Sequence, residues 1–339
     1  MRPALAYSLA LLAVLSLFVV HLAFGPVRVP FGAVVMTLSG GEVGDPAWVA
    51  IVREVRLPEA LAALLVGAGL ATCGVLMQTL FANPLAGPSV LGVTSGASLG
   101  VAVLMLGSAW LPIAGAAWHG MVVLSAFAGS LLVLLLVLLA DRRVGDGITL
   151  LILGLMVGYL CSALISVLEL AAGETALRGF VLWGMGSFAR VGMDELPWLV
   201  APIMIGLCWS AFQAKPLNAL LLGERYASSM GVEVVAFRRK AILITGLLAG
   251  ACTAFCGPIA FIGLATPHVA RGLMRSADHR HVLPASMLLG AGLSLACDLV
   301  VRTSGPTMSL PLNAVTAFLG VPVVIWVVLS GRRWARMTA

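Results

Sequence analysis

The residues able to do chemistry in this chain are few, and they do not converge. There is no G-x-x-x-x-G-K-[ST] run to cradle nucleotide phosphates, and neither H-E-x-x-H nor G-x-S-x-G occurs. The cysteines, Cys73, Cys161, Cys208, Cys252, Cys256 and Cys297, all lie inside apolar runs and form no C-x-x-C pair. They read as small buried apolar residues, not as disulfides or ligands. Cys252 and Cys256 stand one helical turn apart, with no histidine or acid to complete a metal site. His21 reads as a buried polar contact within an apolar run. His268, beside Pro267 and near Arg271, reads as a helix-end hydrogen bond. His119, His279 and His281 read as loop or interface residues. Ion-coupled transporters place ionisable groups along their path. Here only Glu169 and Asp298 approach such positions, both near the ends of apolar runs. Asp298 lies four residues before Arg302 on one helical face, the spacing of a structural ion pair. With no nucleophile, metal set or acid pair, a membrane-embedded enzyme is disfavoured. What is left is translocation driven from outside the chain, or an ion-coupled secondary transporter as the alternative.

The elements that must position these residues are membrane spans. The chain has 339 residues, 61% hydrophobic and 10% charged, with a mean hydropathy of +1.09. A soluble protein carries about 25% charged residues. Apolar runs long enough to span, about 20 residues each, recur without a break in composition. The expectation is one all-α integral membrane domain over residues 1–339. The net charge of +6 is better explained by the positive-inside rule than by nucleic acid.

Ten spans are expected: residues 4–24, 56–80, 89–107, 111–141, 148–170, 196–212, 241–256, 257–274, 282–301 and 315–330. The first follows Met1-Arg2-Pro3 and has no A-x-A-like site after it, so it reads as uncleaved. Residues 25–48 read as an external loop, and 173–187 as a short helix at the outer surface. Gly92, Gly96 and Gly100 clear one face of the third span for close helix packing, and Gly154 and Gly158 repeat the spacing. Ten spans put both termini on one side. Fourteen of the twenty Lys and Arg residues then fall on that side, which makes it cytoplasmic.

One polar-rich segment interrupts this pattern, residues 215–240. Pro216 suits the first turn of a short helix. Gly223 breaks that helix, residues 224–230 give a second, and Gly231 is placed as its stop. From spacing alone the segment reads either as an ordinary interfacial loop or as two short helices that make an elbow on which a soluble partner can dock.

Along the chain stand, in order, Arg56-Leu57-Pro58, Gln78, Asn83-Pro84-Leu85-Ala86, Pro88, Leu91-Gly92-Val93 and Gly96-Ala97. They continue through Leu222-Gly223-Glu224, Ala227, Met230-Gly231-Val232, Phe261-Ile262-Gly263-Leu264, Pro267-His268, Arg271, Asp278-His279-Arg280, Leu283-Pro284, Gly290-Ala291, Asp298 and Arg302. Together these stretches resemble the membrane permeases of bacterial ABC importers for iron chelates, haem and cobalamin. The resemblance implies a homodimer, each copy docking one ATP-binding subunit through Leu222, Gly223, Glu224, Arg225, Ala227, Met230 and Gly231. ATP and Mg would sit on that partner, with no cofactor in this chain. Glu224 and Arg225 would set register at the partner's groove. An extracytoplasmic substrate-binding protein would dock on arginines matching Arg56 and Arg302, expected to be wet at external span ends. Two departures stand out. Glu59 replaces a second arginine and is expected to pair with Arg56. Ser309-Leu310-Pro311-Leu312-Asn313 replaces Glu-Leu-Pro-x-Gly, with Asn313 expected in left-handed backbone.

Overall fold

The computed structural model describes residues 3–41, 45–107, 118–144, 147–304 and 310–334, and these are helical with connecting turns and loops. The helices are α1 (Pro3–Ala23), α2 (Phe31–Ser39), α3 (Pro46–Ala50), α4 (Leu57–Leu80), α5 (Val93–Leu106), α6 (Trp118–Val144), α7 (Gly147–Ala171) and α8 (Glu174–Gly184). They continue as α9 (Leu196–Ala211), α10 (Ala214–Leu220), α11 (Glu224–Ser229), α12 (Val234–Cys256), α13 (Ile262–Met274), α14 (His279–Thr303) and α15 (Leu312–Trp334). Arg2, Leu111, Pro112, Ser309 and Arg336 lie outside the described residues, as do the side chains of Arg332 and Arg333.

Each expected span falls at least partly on a helix, but the count is smaller by length. Among the described residues six helices are long and apolar enough to cross a membrane, and α9 with α10 makes a seventh if the bent pair is one span. The short apolar helices α5 and α15 add to these. Helices suit this setting because lipid offers no partner to backbone N–H and C=O groups.

Helix α4 runs through the centre, packed against α9, α12, α13 and α14. Helices α5, α6 and α7 pack together and meet the rest through α12, while α1 lies along α14. Glycines set the closest approaches. A Cβ at Gly96 or Gly100 would collide with the α6 backbone at Gly129 or Ser125, and one at Gly129 would collide with Gly96. Gly67 of α4 meets Gly290 of α14 in the same manner. The outer faces of α6 and α7 expose Leu132, Leu139, Tyr159, Leu160 and Val167, an apolar skin for lipid or another subunit.

Two expectations of local structure are corrected. The stretch 25–48 is not simply loop: it holds α2, which stops at Gly40 in left-handed backbone (φ 78°) with its N–H on the Met36 carbonyl, and the start of α3. The second span starts earlier than Arg56, because α3 continues through a π-helical turn, Ile51–Arg56, into α4. Pro58 explains the widened turn. It has no N–H for the Glu54 carbonyl and its ring crowds it, so Leu57 N–H reaches back to Val52 O.

Candidate coupling site and outer charge cluster

The elbow forms as expected. Helix α10 is bent 57° away from α9 and seats Leu217, Ala219 and Leu220 in the protein. Gly223 then adopts φ 99°, ψ 156°, a backbone region open essentially to glycine alone, and α11 begins. Helix α11 closes with Gly231 at φ 84°. Its N–H reaches Ser228 O at 3.0 Å and Val232 N–H reaches Ala227 O at 3.0 Å, the paired bonds of a Schellman stop. Ala227 is fully buried beneath the helix, while Leu222 (61% exposed), Tyr226 (50%) and Met230 (61%) face solvent. Tyr226 lies on α11, Leu222 just before its N-cap Gly223, and Met230 at its C-cap. Tyr226 was missing from the residues singled out in the sequence, and nothing in its local spacing marks it, since Gly223 breaks the helix between Leu222 and Tyr226.

Charge anchors α11 from beneath. Glu224 Oε1 accepts from Arg238 Nη2 at 3.2 Å; Arg238 also pairs with Asp141 at 3.4 Å, and Arg239 Nε reaches Asp141 at 3.1 Å. Asp141 and Arg238 are buried, and the Glu224 side chain is half exposed. So Glu224 has an internal partner that its sequence position did not reveal, in α12. Arg225 is exposed on the same helix.

Two histidines near this end differ in outcome. His268 Nε2 donates to Pro84 O at 2.7 Å, the helix-end bond its position suggested. His279, expected in a loop or interface, is instead fully buried between Thr79 and Asn218.

The opposite end of α4 carries five ionisable groups. Arg56 and Arg302 were expected in water, and the structure overturns that. Arg56 is 1% exposed; its Nη1 donates to Leu22 O and Ala23 O at 2.8 Å each, and its Nη2 to Val27 O. It thereby caps the carbonyls left open at the end of α1. The Arg302 side chain is 9% exposed and its Nε lies 3.5 Å from Glu59 Oε2. Glu59 therefore pairs with Arg302 across two helices, not with Arg56 one turn away. Asp298 does not pair with Arg302 either: its Oδ2 lies 2.6 Å from His21 Nε2. Arg302 Nη1 donates to His21 Nδ1 at 3.0 Å, so Nε2 carries the ring proton toward Asp298. Gly25 makes room for both guanidinium groups; an ideal Cβ there would stand 3.2 Å from each. The reason for the miss is chain distance, since His21 and Asp298 are 277 residues apart.

Asn313 is also corrected. It is helical, in the first turn of α15, and acts through its side chain. Its Oδ1 accepts from Ala260 N–H at 3.0 Å, and its Nδ2 donates to Gly184 O and Pro258 O at 3.1 and 2.8 Å. Nearby, burial lowers the pKa of the Arg190 guanidinium, which donates to Trp183 O and Leu182 O at the end of α8.

Among the described residues no group of three or more His, Cys, Asp or Glu side chains is arranged to hold a metal. The geometry is that of a helical scaffold with an exposed elbow at one end and a closed charge cluster at the other. Known proteins agree with it. The sequence is 40% identical over 280 residues to the vitamin B12 import system permease protein BtuC of Klebsiella pneumoniae subsp. pneumoniae, covering 82% of each chain. It is 39% identical over 297 residues to BtuC of Escherichia coli O9:H4, covering 87% of this chain and 89% of that one. An inward-facing metal-chelate type ABC transporter has the same fold, with a TM-score of 0.84 at 30% identity over 98% of this chain and 100% of its own. Residues 11–330 match the FecCD transport family, and the chain belongs to it, as the permease of an ABC importer.

Proposed function

We propose that this permease imports cobalamin or a closely similar metal chelate as a homodimer in the bacterial cytoplasmic membrane. Both termini and the elbow face the cytoplasm, and the pathway lies between the two copies, open alternately to each side. Two ATP-binding subunits, one on each copy, hydrolyse ATP with Mg and grip residues 222–232. An extracytoplasmic substrate-binding protein delivers the cargo at the other end. Arg56, Glu59 and Arg302 serve that docking by holding the corner of α1, α4 and α14 on which the binding protein rests. Identity to vitamin B12 permeases supports cobalamin as cargo; haem and ferric siderophores are the other family substrates. Family membership displaces the ion-coupled secondary transporter.

The observation that carries this reading is the exposure of Leu222, Tyr226 and Met230 on and beside α11. Three large apolar side chains stand in solvent, one on α11 and one at each of its ends, and α11 is tied from beneath by Glu224 to Arg238, so a partner's groove can push on a rigid mount. The test is co-purification with the ATP-binding subunits, and vanadate-sensitive uptake of cobalamin into proteoliposomes, with haem and ferric siderophores in parallel. Ala227→Arg forces a charge under α11 and is expected to cut uptake by at least about tenfold, the scale of a 1.4 kcal/mol loss of coupling, while membrane insertion persists. Normal uptake by Ala227→Arg, or uptake that needs an ion gradient and no ATP, overturns the reading.

A further inference from the structure

We infer that Asn218 is the side chain through which the elbow moves the central membrane helices, by a hydrogen-bonded bridge Asn218–His279–Thr79. The inference rests on the elbow being the element that the ATP-binding subunits grip.

The bridge joins three helices. Asn218 lies in α10, His279 is the first residue of α14, and Thr79 is in the last turn of α4. Asn218 Oδ1 accepts from the His279 backbone N–H and from His279 Nδ1, each at 2.8 Å. Since Nδ1 donates, Nε2 is the acceptor in the neutral ring, and the Thr79 hydroxyl donates to it at 2.8 Å. The Asn218 amide Nδ2 donates to Asp278 Oδ1 at 2.6 Å, and that oxygen also accepts from Arg280 N–H at 2.9 Å. Burial opposes the charge on Asp278. The bonds from Arg280 N–H and Asn218, with the nearby Arg280 and His281 charges, nonetheless hold its carboxyl below the usual aspartate range.

Three features separate this bridge from an ordinary helix cap. Asp278 already caps α14 from its own chain segment. Asn218 adds a second acceptor from the elbow, which the cap itself does not require. The imidazole is fully buried and bonded at both ring nitrogens, so it can neither rotate nor change tautomer without breaking a bond. The contact is also directional. The apolar seat of α10, Leu217, Ala219 and Leu220, can slide, whereas a chain of hydrogen bonds running from half-buried Asn218 to the buried Thr79–His279 pair resists displacement along its length. The second link from the elbow, Glu224 to Arg238, has one half-exposed partner and is open to screening. A push on α10 is therefore delivered to the ends of α4 and α14 together.

The test uses the permease assembled with its ATP-binding subunits in nanodiscs, in a Cys208→Ser background that removes the exposed cysteine. A spin label at Val300→Cys, exposed near the outer end of α14, reports the change caused by trapping with ATP, Mg and vanadate. The signal is normalised to bound ATP-binding subunit. Asn218→Ala and Thr79→Val are each expected to reduce the trapping response at least about fivefold, the low end of a typical coupling between sites. Thr79→Ser, which keeps the hydroxyl, restores it. The double variant loses no more than either single one, as members of one bridge should. A full response in Asn218→Ala, equal losses in Thr79→Ser and Thr79→Val, or additive losses in the double variant overturn the bridge. Leu222→Arg separates the two readings. If it releases the ATP-binding subunits while Asn218→Ala responds fully, the bridge alone fails. If Leu222→Arg leaves them bound, the elbow reading fails and the bridge with it.

Discussion

At the residue scale, the outer cluster turns on Glu59. Its carboxylate and the Arg302 guanidinium are both nearly buried and 3.5 Å apart. Removing one member of a buried ion pair leaves the other charge without compensation, at a cost of about 3–5 kcal/mol. Here Arg302 keeps its contacts with His21, so the lower end applies. Glu59→Leu is expected to destabilise the protein by about 3 kcal/mol, read as a lowered midpoint of thermal unfolding in detergent. An unchanged midpoint would mean that the pair is not formed. None of these pairings was legible in the sequence. His21, Glu59, Asp298 and Arg302 come from α1, α4 and α14, and nothing local in the chain records which acid meets which base. Helical spacing suggested Asp298 with Arg302 and Glu59 with Arg56; burial of all four among three helices rearranged both pairs.

At the scale of elements, the short helices were legible and the exact spans were not. Gly223 and Gly231 punctuate the elbow because each needs a positive φ, and that requirement is written in residue type. The start of the second span was missed because a π-helical turn carries no such mark and Pro58 suggested a beginning. Asn313 was misread for a related reason: replacing a family glycine suggested backbone conformation, while its amide side chain does the work. The small-residue spacing of α5 was legible, and the structure supplies its partner. Gly100→Leu would drive a side chain into the Ser125 carbonyl of α6. Overpacking costs about 1–3 kcal/mol even where neighbours can shift, and backbone cannot yield as a side chain does. The expected outcome is loss of most folded, monodisperse protein on size-exclusion chromatography in detergent, while Gly120→Leu, which meets nothing within 4 Å, elutes normally.

At the scale of the whole molecule, the two ends of α4 are kept apart by its 24 residues, about 36 Å at 1.5 Å per residue. The proposed docking corner and the proposed grip of the ATP-binding subunits thus stand at opposite ends of one central column. The assembly predicts a footprint. In the Cys208→Ser background, Met230→Cys is expected to react readily with a maleimide in the isolated permease and at least about tenfold more slowly with the ATP-binding subunits bound, because a seated interface excludes solvent from its core. Equal labelling in both states would place the partner elsewhere.

The glycine contacts say where such a machine can bend. Helices α4, α13 and α14 meet backbone to backbone at Gly67 and Gly290 and at Gly74 and Gly263; α5 and α6 do so at Gly96 and Gly129, and α7 meets the turn that leads into α5, where Gly154 lies against Val90 and Leu91. Interlocked main chains cannot shear past one another, so each trio travels as a solid block. Contacts of α12 with its neighbours are of another kind: Gly246 meets the Leu134 side chain, Gly250 the Ser130 side chain, and Gly206 of α9 the Leu248 side chain. Side chains can change rotamer and let go. The yielding seam of the permease therefore runs along α12, between two blocks that hold their shape.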